Sequence, residues 1–210
     1  LMEALIGELL AETPGAIAVD GVRVGKDGPS RRRALGLSFA PEERLGHATV
    51  ADMSLWENAA LTAATRMGLS RLGFLDIAKA RGFAAKVVAE FGVRTTGPDA
   101  AARSLSGGNL QKFVIGREIL QAPSVLIAAQ PTWGVDAGAA ALIHELLLSL
   151  ARAGTAVLVV SQDLDELLAI AGRIAVIANG RLSPARPAGE LTPHELGLSM
   201  GAHAAEVADA

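Results

Sequence analysis

Beyond Gly108 the chain alternates between two hydrophobic rhythms, and this constrains the fold more than any other feature. Residues 109–121 carry apolar side chains at helical spacing. V-L-I-A at 125–128 is a continuous apolar run, 138–152 is helix-periodic again, and 155–161 is a second apolar run. A helix over 164–172 and a strand over 173–178 complete the series. Strands that are apolar at every position are buried on both faces, and helices between them place them in a parallel sheet. An α/β sheet flanked by helices is therefore expected.

The upstream half is less regular. Residues 2–12 have helical spacing, and T-P-G then breaks them. A-I-A-V and V-R-V flank Asp20-Gly21, which reads as a small β hairpin. G-L-S-F-A-P, 36–41, reads as a strand stopped by proline. Residues 54–103 are helix-periodic with no convincing strand, so a helical subdomain is expected there. Arg31, Arg32 and Arg33 read as a solvated helix face or, alternatively, a phosphate contact. The tail from Ser183 is rich in proline and alanine, with one short helix near 192–200.

Half of the 210 residues are hydrophobic and a fifth are charged, the balance of a globular domain. Net charge is −3, which argues against a nucleic-acid binder. Cysteine is absent, which removes disulfides and thiolate metal sites and fits a reducing cytosol. No apolar run approaches the ~18 residues of a membrane span.

S-L-S-G-G-N-L-Q-K, 104–112, opens the first helix of the alternating part with a serine and two glycines. A helix N-terminus carries unpaired N–H groups and partial positive charge, and glycine lets an anion approach the backbone. The alternative is that Ser106 only caps the helix.

The order of motifs that follows resembles the ABC-transporter ATPase family. Leu105, Ser106, Gly107, Gly108 and Asn109 match its signature motif. Val125 to Gln130 lie where its Walker B strand runs, Val135-Asp136 look like its D-loop, and Ser161-Gln162 sit at its switch-histidine position. A-P-E-E-R, 40–44, looks like the Q-loop of sugar importers, and S-L-W-E-N-A-A-L like the motif that follows it. The resemblance covers about residues 1–200. It implies one nucleotide-binding domain of the P-loop NTPase type, with a helical subdomain over 54–105, an α/β core over 106–182, a small β part and a tail over 201–210.

The resemblance also implies which anion is involved. Two such domains stack head to tail, and each signature helix faces the γ-phosphate of an ATP held by the other's P-loop. Leu105 to Asn109 and Asp136 would then contact nucleotide in trans. Pro41, Glu42 and Glu43 would relay nucleotide state to a membrane permease; by chemistry alone, Glu42 and Glu43 read as a solvated loop or a paired-carboxylate site. The cofactors implied are ATP and Mg²⁺.

Several positions depart from the family. Its active members end the Walker B strand in Asp-Glu; here Ala129 and Gln130 stand there, and Gln162 replaces the switch histidine. Neither Ala129 nor Gln130 can neutralise a hard cation or take a proton. One lost electrostatic group costs about 10²–10³ in rate, so hydrolysis at this chain's own side is expected to be defective and no metal is assigned to its residues. A P-loop needs G-x-x-x-x-G-K-[ST]. G-V-R-V-G-K-D, 21–27, fails by spacing and by its Asp. The family places the P-loop just before the helix read at 2–12, so the chain is expected to be an incomplete domain that begins after it. Trp133 replaces the arginine common after P-T in this branch.

Asp163, Asp165 and Glu166 are read as a capped helix start and not a metal cluster. The four histidines show no ligand spacing. The expected function is the ATP-binding subunit of a simple-sugar or nucleoside importer, the second domain of a fused pair. Its expected partners are a P-loop-bearing domain, a permease and, indirectly, a substrate-binding protein, at the cytoplasmic face of the plasma membrane. The alternative is a docking or regulatory module that uses the fold only for protein contacts. A DNA-repair ATPase is disfavoured by the acidic pI and the lack of long heptads.

Overall fold

The computed structural model describes residues 1–205; of the tail expected at 201–210, residues 206–210 lie outside them. The chain forms two compact units, Leu1–Val160 and Ser161–Ala210.

In the first unit, helix α1 (Met2–Ile6) is followed by the hairpin β1 (Ala18–Val19) and β2 (Val22–Arg23), then helix α2 (Pro29–Ala34) and strand β3 (Leu37–Ala40). Helix α3 (Leu55–Ala63), hairpin β4 (Ser70–Arg71) and β5 (Phe74–Leu75), and helix α4 (Ile77–Glu90) come next. Helix α5 (Gly107–Ile119), strand β6 (Val125–Ala129), helix α6 (Ala137–Arg152) and strand β7 (Ala156–Val160) complete it. The sheet is parallel in the order β3-β6-β7, with Phe39 opposite Ile127 and Ile127 opposite Leu158.

The period of two along these strands builds a core on each face. Leu37, Phe39 and Ile127 point one way, into a cluster with Ile6, Val19 and Val24. Ala40 points the other way and meets Val114 and Ile115 of α5. A third cluster joins α3, α4 and α5 through Leu55, Phe83, Val87, Phe91 and Phe113. Gly116 is required in it: a Cβ there would lie 2.5 Å from a ring carbon of Phe91. Gly116→Ala is expected to lower stability by about 1–3 kcal/mol through overpacking, measured as a fall in the urea midpoint at unchanged slope.

Three upstream readings change. The helix read over 2–12 ends at Ile6, because Gly7 turns left-handed at φ 91°. The helical subdomain contains a hairpin, since Leu72 and Gly73 both take positive φ and make a tight turn between β4 and β5. Of the arginine run, Arg31 is exposed as a solvated face requires, but Arg32 and Arg33 are engaged within the fold. Arg32 is fully buried and donates Nε to the Asp27 carbonyl at 2.9 Å and Nη1 to Leu5 O at 2.8 Å and to Ala4 O. Arg33 pairs with the buried Glu118 at 2.8 Å. The hairpin at Asp20-Gly21 forms as read, with φ 53° and 77° at its two turn residues. It places residues 21–23 in the hairpin and 24–27 in the segment that follows it.

The second unit holds helix α7 (Leu164–Ile170), strands β8 (Arg173–Ile174), β9 (Ile177–Ala178), β10 (Arg181–Leu182) and β11 (Arg186–Pro187), and helix α8 (Pro193–Ala205). The single strand read over 173–178 is split. Its halves pair antiparallel in separate ladders, β8 with β11 and β9 with β10. The small core of this unit is Ile174, Ala188 and Leu196. Among the described residues no helix is long and apolar enough to cross a membrane.

Candidate functional site

Ser106 is the N-cap residue of α5 by backbone geometry, with φ −63° and ψ 156°. Its hydroxyl does not cap the helix. Instead it accepts a hydrogen bond from Asn109 Nδ2 at 2.9 Å, while Asn109 Oδ1 accepts from the Arg94 N–H at 2.9 Å. The first N–H groups of a helix have no intrahelical acceptor. Here they belong to Gly107, Gly108 and Asn109, and Ser106 and Gly107 are exposed. Leu105 is half-buried just ahead of them.

Asp136 comes close to this turn. It is the N-cap of α6, accepting from the Ala139 N–H at 3.0 Å, and that bond holds its carboxyl below the usual range. A Cβ on Gly108 would lie 3.5 Å from Asp136 Oδ2. The signature-like and D-loop-like segments are thus neighbours, although nothing in their sequence spacing requires it.

A third segment joins them. Pro41 is buried at the end of β3, while Glu42 and Glu43 are exposed. Arg44 reaches across to α5: its Nε donates to Gln111 Oε1 at 3.0 Å, and Nη1 would lie 2.9 Å from a Cβ on Gly107. Arg44 and Gln111 were not singled out as site residues from sequence. The signal was present in A-P-E-E-R, but an arginine between carboxylates and a loop reads as solvated.

An open cavity of about 810 Å³ lies over these residues, lined by Pro41 to Arg44, Leu105, Gly107, Ala129 and Trp133. Trp133 is 64% exposed at its rim, so it does not pack as a core residue. Ala129 ends β6, and Gln130 follows it buried at φ 47°, its N–H donating to Val160 O at 2.7 Å. The strand end therefore offers no carboxylate to the cavity. Among the described residues no group of three or more His, Cys, Asp or Glu could hold a metal ion. The unpaired N–H groups and the serine hydroxyl at the start of α5 suit an anion.

Gln162 lies in the second unit, exposed ahead of α7. Beside it Asp163 caps α7, accepting from the Glu166 N–H at 3.0 Å. Of the histidines, His47 pairs with Glu8 at 2.8 Å.

No family model matches the chain. It is 38% identical over 200 residues to the guanosine import ATP-binding protein NupO of Bacillus subtilis, covering 95% of this chain and 39% of that protein. It is 40% identical over 178 residues to the ribose import ATP-binding protein RbsA 1 of Streptomyces avermitilis, covering 85% of this chain and 34% of that one. The chain thus spans less than two fifths of the length of these curated relatives. Among solved structures, an ATP-binding subunit of an ABC transporter superposes with a TM-score of 0.74 at 21% identity, over 95% of this chain and 81% of that one. The dimeric post-hydrolysis structure of the ATP-binding cassette MJ0796 does so with a TM-score of 0.67 at 20% identity, over 81% of this chain and 72% of that one. The chain has the ABC ATPase fold, and its homologues are ATP-binding proteins of ribose and nucleoside import.

Proposed function

We propose that this chain is the signature-bearing part of the ATP-binding subunit of a simple-sugar or nucleoside importer. It presents the start of α5 to the γ-phosphate of an ATP held by a partner domain. The observation that carries this reading is the turn at Ser106–Gly108, exposed at Ser106 and Gly107, whose serine hydroxyl is not used as a cap. A phosphate placed there meets backbone donors, a hydroxyl and the positive end of a 13-residue helix dipole.

The P-loop and its Mg²⁺ belong to the partner. Ala129, Gln130 and Gln162 leave this chain's own side without a carboxylate or imidazole for hydrolysis. The loop at Pro41, Glu42 and Glu43 faces a permease and relays nucleotide state to it, which places the subunit at the cytoplasmic face of the plasma membrane. A substrate-binding protein acts upstream, through that permease. Support comes from the relatives' names and from the spatial meeting of the 41–44, 106–109 and 134–136 segments.

The test is to mix the chain with a P-loop-bearing nucleotide-binding domain and measure association by analytical ultracentrifugation, with and without ATP. Association that requires ATP is expected. The purified chain alone is expected not to hydrolyse ATP; turnover of about 1 s⁻¹ or more, within the ordinary enzyme range, refutes the reading. Association indifferent to ATP favours a docking module instead.

A further inference from the structure

We infer that Arg44 is a positioning residue, a brace that holds the start of α5 and the 131–134 turn in one register with the 41–44 segment. The inference rests on the reading of Ser106–Gly108 as a phosphate-facing turn and adds a device that sets its geometry.

The brace is anchored at both ends. On its own side, Thr49 Oγ1 donates to the Arg44 carbonyl at 2.5 Å and the Ala48 N–H donates to Glu43 O at 2.9 Å, which fixes the backbone. On the far side, the guanidinium Nε donates to Gln111 Oε1 at 3.0 Å, and the fully buried Gln111 donates Nε2 to Pro131 O at 2.8 Å. Two hydrogen bonds in series thus run from the loop after β3, through α5, to the turn before α6.

Gly107 makes room for the guanidinium, and Gly134 lies within ordinary contact distance of it. A Cβ on Gly107 would stand 2.9 Å from Nη1, and one on Gly134 would stand 3.5 Å from Nη2. Gly134 sits at φ 62°, where other residues are strained. Nη2 is buried and has no hydrogen-bond acceptor. Leaving a buried donor unused is destabilising, so stability alone does not explain why a guanidinium occupies this place. Its planar fork spans the two glycine-bearing segments at once, which the single ammonium of lysine cannot do. Displacement of residues 41–44 therefore pulls on Gly107 and on the 131–134 turn together.

The experiment compares the full chain with Arg44→Lys and with Gln111→Met, which keeps the buried volume but removes the acceptor. Amide hydrogen exchange is read without nucleotide, and the ATP half-saturation of association with a P-loop-bearing domain is read separately. Both variants are expected to speed exchange at the hydrogen-bonded amides of Leu110, Trp133 and Val135 by about tenfold, as loss of a charge-assisted hydrogen bond requires, with β6 and α4 unchanged. Arg44→Lys is expected to raise the ATP half-saturation by a similar factor. Exchange at Leu110, Trp133 and Val135 equal to wild type in both variants overturns the brace. So does an unchanged ATP dependence in a variant whose wild-type parent associates. Faster exchange in the variants, when the wild-type chain never responds to ATP, upholds the brace and sinks the phosphate reading instead.

Discussion

Glu118→Ala is expected to remove about 3–5 kcal/mol of stability, the cost of breaking a buried ion pair from one side. Glu118 is fully buried near the end of α5. Its Oε2 takes a 2.8 Å bond from Arg33 of α2 and its Oε1 a 3.0 Å bond from Arg117, itself 1% exposed. Gln121 Nε2 also donates to Oε2, at 3.2 Å. Removing the carboxylate leaves the Arg117 guanidinium in the interior, held by its remaining bond to the Asn58 carbonyl. A domain's whole stability is about 5–15 kcal/mol, so the loss is a large share of it. At this chain length it corresponds to a fall in Tm on the order of 10 °C. Scanning calorimetry measures it. The exposed Lys86–Glu90 pair is the control: Glu90→Ala should cost no more than about 0.5 kcal/mol. The pH dependence follows from the same contacts. Burial pushes the Glu118 carboxyl up, but Arg33 and Arg117 together hold it below its ordinary value of 4.5. The unfolded chain therefore binds a proton more readily than the folded one. The stability from this group is present above about pH 4.5 and is lost as pH falls further. Glu118→Gln should flatten that acid limb; an unchanged limb contradicts the assignment.

Glu118 also marks what the sequence could not reveal. The alternation after Gly108 anticipates α5, β6, α6 and β7 within a residue or two, because each apolar run is long enough to define its own period. Short-range exceptions escaped it. Gly7 ends α1 through one positive φ, a property of backbone geometry that helical spacing does not encode. Leu72 and Phe74 are apolar and yet exposed, so the hairpin they carry reads as more helix. Arg32 and Arg33 look solvated as a run of like charge; only the fold brings carbonyls to one and Glu118 to the other. At the site, the start of α5 near 106–109 was anticipated from helical spacing, whereas its reading as an anion site rather than a plain cap rested on the resemblance of the motifs around it. The approach of Arg44 to Gly107 and of Asp136 to Gly108 was not legible, since it depends on how β3, α5 and β6 pack.

That packing gives the second large effect. Ser106→Arg is expected to weaken ATP-dependent association with a P-loop-bearing domain at least about 100-fold, or some 2.8 kcal/mol at 1.4 kcal/mol per decade. The size matches the loss of one preorganised donor to a developing or bound anion, to which the arginine adds bulk across the exposed N–H groups of Gly107 and Gly108. It also sets a second guanidinium beside Arg44, where like charges repel. Ser106→Ala removes only the hydroxyl and should weaken association less, by about tenfold. Neither change should unfold the chain. An N-cap serine normally contributes about 1 kcal/mol through its side chain, but here that hydroxyl bonds Asn109 Nδ2 and caps no helical N–H. Urea midpoints are therefore expected to stay within about 0.5 kcal/mol of wild type, as for surface substitutions. Stability and association are thus separable at one residue. If Ser106→Arg instead left association intact, the start of α5 would not be where the phosphate sits.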